Sequence, residues 1–406
     1  MDFADLHIHS HYSRATSKDM DLRHLAEGAK TKGLTILGTG DFTHPQWLKE
    51  LKMQLKEAGE GIYEHGGIKW ILQAEISLIY TKGGKGRRVH HLILAPSFEV
   101  VDQINAWLDK KGRRDYDGRP IFGFSSEELV ESMMGISKDI MIIPAHAWTP
   151  WFSIFGSKSG FDSVEECFGD KSKFIFALET GLSSDPLMNW RVSSLDNYTL
   201  VSNSDPHSPY PWRLGREANA FTLKKTDYNH LIEAIKTKRG FEFTIEVPPE
   251  YGKYHIDGHR LCNFSTEPSK RNGDRCPKCQ RQLTIGVLAR VEELADRPDG
   301  FIPKEAVPFK SLLPLAELIA AATGYGVASK KAMELYSQLI TRFGNEFSIL
   351  LEAGERELAK TIPENLARLI IKNRQGKIKI EPGYDGVYGK PVLNSGKEST
   401  LGEFVR

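Results

Sequence analysis

The sequence predicts an α/β fold of repeated strand–helix units, and three observations predict it. Over its first 245 residues, short runs of strand-forming residues alternate with amphipathic helical stretches across short connections. Polar residues able to do chemistry fall at the ends of the strand-like runs, where parallel α/β folds place their sites. Finally, 40% of the 406 residues are hydrophobic, enough for a large packed core.

Strands are predicted over 3–9, 34–39, 69–80, 88–95, 140–146, 174–180, 199–204 and 219–223, forming a parallel sheet or barrel. Helices are predicted over 22–31, 46–57, 100–111, 126–134, 163–168, 186–195 and 228–238. In the first strand, Leu6 and Ile8 alternate with His7 and His9. Both imidazoles therefore face one side, about 7 Å apart along the backbone, and two such nitrogens can grip one transition-metal ion. The second strand ends in Gly40-Asp41-Phe42-Thr43-His44, and the third carries Glu75 between apolar neighbours. The fourth opens with His90-His91, of which alternation turns only one inward. The fifth ends at His146-Ala147-Trp148, the sixth at Glu179-Thr180-Gly181, and the seventh at Asp205-Pro206-His207. A lone residue of this kind is more often a surface or hydrogen-bonded group. Their recurrence at strand ends predicts a multinuclear metal centre.

The 54 basic and 53 acidic residues leave a net charge of +1, so any attraction for a polyanion must be local. The basic runs at 82–88 and 110–114 are the candidates. The start of the chain lacks the basic and apolar regions of a signal peptide, and no run reaches transmembrane length. A cytoplasmic protein with no membrane partner is expected.

Three of the four cysteines cluster: Cys262, then Cys276-Pro277-Lys278-Cys279. With His259 as fourth ligand, or His255 as the alternative, this spacing suits a closed tetrahedral structural zinc. Such a site serves folding or docking rather than chemistry. Beyond it, helices are predicted over 312–322, 330–343, 346–357 and 363–371. Gly324-Tyr325-Gly326 reads as a helix cap more readily than as a phosphate cradle. The Gly- and Tyr-rich stretch 380–390 reads as an ordered loop with exposed aromatics. Domains are expected at 1–245, 246–300 (zinc module) and 301–406 (mainly helical, DNA-binding).

These motifs resemble those of the PHP (polymerase and histidinol phosphatase) family of metal-dependent phosphoesterases. The resemblance implies a distorted seven-stranded βα barrel for 1–245. It implies one metal on His7, His9, Glu75 and Asp205, and a second sharing Glu75 with His91 and His146, His90 being the alternative to His91. A third would use His207 with Asp41 or His44, because Phe42 stands where the family has its histidine. Glu75, Asp205 and His207 are the expected catalytic residues. Two or three divalent metals are implied at the active site, zinc first, with manganese or magnesium as alternatives, besides the structural zinc.

The segment Glu179–Arg191, the cysteine knuckles and the C-terminal region together resemble the endonuclease Q family of DNA repair nucleases. That resemblance implies cleavage 5′ to deaminated bases (uracil, hypoxanthine, xanthine) and abasic sites in double- or single-stranded DNA. It also implies a nucleoid-associated protein, with a sliding clamp as a candidate partner. A damaged base must be extruded into a pocket. Trp148, Trp151, Phe152 and Ser183 are the expected lining, and Arg191, Arg213 and Arg216 the expected phosphate contacts. Two rival readings are a small-molecule phosphatase of the PHP type and a catalytically inactive DNA-binding accessory protein. The zinc module argues against the first, and the full ligand set against the second.

Overall fold

A computed structural model describes residues 1–392. The strands that build the site are β1 (Asp2–Asp5), β2 (Ile36–Gly38), β3 (Lys56–Gly59), β4 (Ile62–His65), β5 (Ile68–Lys82) and β6 (Lys85–Ala95). They are followed by β7 (Ile121–Phe122), β8 (Met141–Pro144), β9 (Ala177–Glu179), β10 (Thr199–Val201), β11 (Ala218–Phe221) and β12 (Phe241–Glu246). The helices between them pack outside, capped by Asp21, Ser97, Ser125, Ser163, Asp185 and Asp227, whose side chains accept from the first-turn amides.

The fold is a mixed α/β barrel rather than a parallel sheet. β1 pairs parallel with β2, and β2 with β5, but β5–β6, β6–β8 and β1–β11 are antiparallel. The cause lies in Gly83-Gly84, whose φ angles of 61° and 73° form a two-residue hairpin turn that sends β6 straight back along β5. The seven strands β1, β2, β5, β6, β8, β9 and β10 surround one core, and β9 and β10 form a separate parallel pair. Side-chain amides close the seam between β10 and β1. Asn219 Nδ2 donates to the Ser202 carbonyl (2.7 Å) and the Ala4 carbonyl (3.3 Å), while Asn203 Oδ1 accepts from the Leu6 amide (2.8 Å). A seam held by asparagines in place of a backbone ladder distorts the barrel there.

Other differences are local. The helix expected over 46–57 stops at Gln54 and yields to the β3–β4 hairpin, because Gly59 and Gly61 supply its turn. The 346–357 helix breaks at Gly354 into Glu346–Leu351 and Glu355–Leu358. Gly324, at φ 72°, caps the helix Leu315–Thr323.

After β12 the chain forms the antiparallel pair β13 (Asp257–His259) and β14 (Phe264–Thr266), which carries the cysteine knuckle. β15 (Phe309–Ser311) then joins β12 in parallel before the C-terminal helices. The stretch 380–390 is tied to 250–256 by backbone bonds: Gly383 N–H to the Glu250 carbonyl (2.8 Å), Gly386 N–H to Lys253 (2.8 Å) and Gly389 N–H to Tyr251 (3.0 Å). Its Tyr388 is not an exposed aromatic; the Arg216 guanidinium donates to its hydroxyl at 3.2 Å. Among the described residues no helix is long and apolar enough to cross a membrane.

Candidate metal centre

β1 ends at Asp5, so His7 and His9 lie just past the strand rather than within it. Both remain fully buried, with Nε2 atoms turned toward one point. Partners on the other ring nitrogen set that orientation. Glu179 lies 3.0 Å from His7 Nδ1, and Asp41 lies 3.1 Å from His9 Nδ1. Asp205 Oδ1 completes this group, 3.1 Å from His9 Nε2 and 3.7 Å from His7 Nε2.

Glu75 comes from the middle of β5 and spans two groups. Its Oε2 lies 3.4 Å from His9 Nε2 and 3.6 Å from His7 Nε2. Its Oε1 lies 2.7 Å from His90 Nδ1 and 3.2 Å from His146 Nε2. His7, His9 and Asp205 form one set, and Glu75, His90 and His146 another, each with ligand atoms within 4.8 Å of one another. Asp41, His146 and Asp205 all adopt left-handed backbone, with φ of 45°, 31° and 42°. Strain of this kind gathers where side chains must be aimed.

The donor chemistry fits divalent metals. His7 Nε2 is buried with no hydrogen-bond partner, which costs free energy unless something else occupies that lone pair. Burial alone would lower the His7 pKa, yet Glu179, Glu75 and Asp205 raise it well above its ordinary value. His9 is likewise lifted to about 9 against its burial, by Asp205 and Asp41. Burial would raise Glu75, but His90, Arg119 and His7 hold it well below the carboxylate range. Carboxylates and imidazoles packed this closely hold protons that a bound dication would displace.

Four of the positions expected to bind metal lie outside the two donor groups. His91 is not in the cluster. It points to the opposite side of β6, with Nε2 2.8 Å from the Ser126 hydroxyl, and burial pushes its pKa down to about 3. Counting from the Gly83-Gly84 turn sets Ser77 opposite His90, so His90 shares a face with Glu75. That signal was present in the sequence. His44 stacks on Tyr12 at 4.3 Å and faces the Asp115 carbonyl. Asp41 orients His9 and accepts from the Ser10 and Ser13 hydroxyls rather than joining a donor group. His207, 38% exposed, sits at the mouth with its ring 5.3 Å from that of His9.

A pocket of about 220 Å³ opens beside the second donor group. Trp151, Phe152 and Ser183 line it together with Lys253 and Tyr254, two residues that sequence reasoning missed. Trp151 and Tyr254 meet edge to face at 5.8 Å. Trp148, in contrast, is core: it is 1% exposed and its indole donates to Asn189. Two of the three arginines are engaged elsewhere. Arg216 is buried against the Ser204 carbonyl, and Arg213 lies over the Tyr388 ring at 5.2 Å. Arg191 is not among the residues that line the pocket. Most of the basic runs are neutralised as well, by the pairs Lys82–Glu127, Arg87–Glu166, Lys111–Glu128, Arg113–Asp115 and Arg114–Asp109. A larger open groove of about 1020 Å³ along Lys330–Arg342 holds none of the donor residues.

The second cluster is His259, Cys262, Cys276 and Cys279, again within 4.8 Å of one another. His259 is the histidine at this site, its Nδ1 3.5 Å from Cys279 Sγ, while His255 is buried elsewhere. One nitrogen and three sulfurs are a tetrahedral zinc set.

Comparison with known proteins follows this geometry. Residues 314–377 match the family described as MJ0043 C-terminal domain. The chain is 30% identical over 409 residues to the uncharacterized protein YqxK of Bacillus subtilis, covering 96% of this chain and 98% of that one. It is 37% identical over 289 residues to the uncharacterized protein MJ0043 of Methanocaldococcus jannaschii. That match covers 69% of this chain but 34% of the relative, so the chain spans about a third of that relative's length. The lesion-specific endonuclease PfuEndoQ from Pyrococcus furiosus superposes with a TM-score of 0.86 at 35% identity, over 97% of this chain and 95% of that one. Endonuclease Q in complex with a 27-mer duplex carrying an abasic lesion at the active site gives 0.89 at 36% identity, over 97% of both chains.

Proposed function

Since this chain belongs to the endonuclease Q family, we propose that it is a metal-dependent DNA repair endonuclease. Its substrate is DNA carrying a deaminated base (uracil, hypoxanthine or xanthine) or an abasic site, cut at the phosphodiester 5′ to the lesion. The observation that carries this reading is the bridging position of Glu75 between two donor groups at the mouth of an aromatic-walled pocket.

His7, His9 and Asp205 would hold one divalent cation, and Glu75, His90 and His146 a second. Bound there, such ions lower the pKa of a water and neutralise phosphoryl oxygens. The remaining work belongs to the chain. Glu179 and Asp41 keep the two N-terminal imidazoles aimed inward, and Thr149, 3.1 Å from His146 Nδ1, does the same for the third. His207, at the mouth and outside both donor groups, would pass a proton to the leaving oxygen. Trp151, Phe152 and Tyr254 offer apolar faces to an extruded nucleotide, while Ser183 and Lys253 offer polar atoms at its edge. The cysteine knuckle would take a structural zinc.

The test uses duplex DNA with a single deoxyuridine, labelled at the 5′ end, with manganese, magnesium or zinc added. A single nick 5′ of the uracil is expected, lost with EDTA and in Asp205→Asn while that variant still binds the duplex. An intact duplex alongside hydrolysis of a simple phosphomonoester would overturn the reading in favour of a small-molecule phosphatase.

A further inference from the structure

Among the described residues, Arg119 is the one arginine or lysine ion-paired with a donor residue of the metal centre. Its Nη1 lies 3.0 Å from Glu75 Oε2, the oxygen that also faces His7 and His9. The loop that carries it is pinned. The Gly118 N–H donates to the Tyr12 carbonyl (3.1 Å), the Thr43 hydroxyl donates to the Gly118 carbonyl (3.1 Å), and the Arg119 N–H donates to Asp117 (3.2 Å). Gly118 lies so close to Asp41 and Ser13 that a Cβ there would collide with both.

Two structural arginines in this protein each use several donors on protein oxygens. Arg114 bonds both oxygens of Asp109 and the Thr43 carbonyl, and Arg374 bonds the carbonyls of Ile349, Leu350 and Ala353. Arg119 gives its side chain one bond, to Glu75, and is 27% exposed; its other donors are neither bonded nor sealed away. The residues expected to hold a third metal are engaged elsewhere, Asp41 with His9, Ser10 and Ser13, and His44 with the Asp115 carbonyl.

We infer that Arg119 is a catalytic residue that binds a non-bridging oxygen of the scissile phosphate, a fixed third cation beside the two donor groups. The inference rests on the phosphodiesterase reading above. A guanidinium presents paired donors that match phosphate oxygens. Held rigidly, it opposes the charge that builds on those oxygens in the transition state, where one aimed donor contributes about 10²–10³-fold in rate.

The full-length protein and its Arg119→Ala and Arg119→Lys variants are compared in single-turnover cleavage of the deoxyuridine duplex. Metal content is measured by elemental analysis, and the scissile phosphate carries sulfur at either non-bridging position. Arg119→Ala should keep its metal and cleave ~10²–10³-fold more slowly, with Arg119→Lys recovering about tenfold. Sulfur at one position should slow the wild type, and that sensitivity should vanish in Arg119→Ala. Loss of metal from Arg119→Ala, cleavage within about threefold of wild type, or an unchanged sulfur effect would each overturn the inference. Should the wild type leave every duplex intact, the nuclease reading falls by itself. Calorimetric titration of the metal-loaded proteins with inorganic phosphate then decides for Arg119, a tenfold weaker affinity in Arg119→Ala supporting it and equal affinity overturning it.

Discussion

The ammonium of Lys32 lies 2.8 Å from the Glu346 carboxylate, and neither side chain is more than 1% exposed. This pair fastens the helix Leu22–Lys32 of the barrel to the C-terminal helix Glu346–Leu351. The Tyr336 hydroxyl (2.7 Å) and the Leu315 amide (3.0 Å) also donate to Glu346. Breaking a buried pair from one side leaves an uncompensated charge, at a cost of about 3–5 kcal/mol. Glu346→Ala should lower unfolding stability by that amount in urea titration. Adding Lys32→Met to it should recover at least half, because the stranded charge is then gone. A double variant no better than the single one would contradict this.

His90 and His91 separate ligation from packing. His90→Ala should remove metal from the Glu75 group and abolish cleavage, read by elemental analysis and the nick assay. His91→Ala leaves Ser126 with the Tyr80 hydroxyl as its remaining partner and opens space beside Phe168. It should cost stability, ~1–3 kcal/mol, and leave metal content unchanged.

The cysteine knuckle is joined to the pocket wall through the chain, since β13 begins shortly after Lys253 and Tyr254. Cys276→Ser should lose one zinc per chain. Cleavage of lesion DNA should fall with it while hydrolysis of a phosphomonoester persists. Equal loss of both activities would mean that the barrel itself had come apart.

Tyr388 offers a pH signature. Burial would raise its phenol, but Arg216, Lys253 and Arg213 bring it down to about 8. A phenol whose folded pKa lies below its unfolded value of about 10 adds stability above pH 10 and loses it as pH falls through 8. Relative to Tyr388→Phe, the wild type should therefore gain stability between pH 8 and 10. A phenolate absorbance step near pH 8, absent from the variant, is the direct check.

How much of this was legible in the sequence follows from where each signal is encoded. His7, His9, Glu75, His146 and Asp205 were readable because polar residues set between apolar ones, in or just past a strand, are a local pattern. The same holds for the cysteine knuckle and for most helices. His90 needed one more step, the register counted from Gly83-Gly84. Arg119, Lys253 and Tyr254 were not readable. Their loops look like ordinary surface, and contacts with residues far along the chain bring them to the site. Trp148 misled for the opposite reason: it adjoins His146 in sequence, yet its ring turns into the core beside Phe155. The antiparallel strands show the same limit, because alternation of elements does not report direction.

The backbone tie between 380–390 and 250–256 has a consequence for synthesis. A ribosome makes the metal-donor residues first, and the strap bonded to Lys253 only after all of them. At the usual ~5–20 residues per second, roughly 10–30 s separate the two. During that interval a nascent chain already carries its donors, yet the wall that would grip an extruded nucleotide lacks its brace. The order of translation thus sets the donor residues in place before the pocket wall is braced.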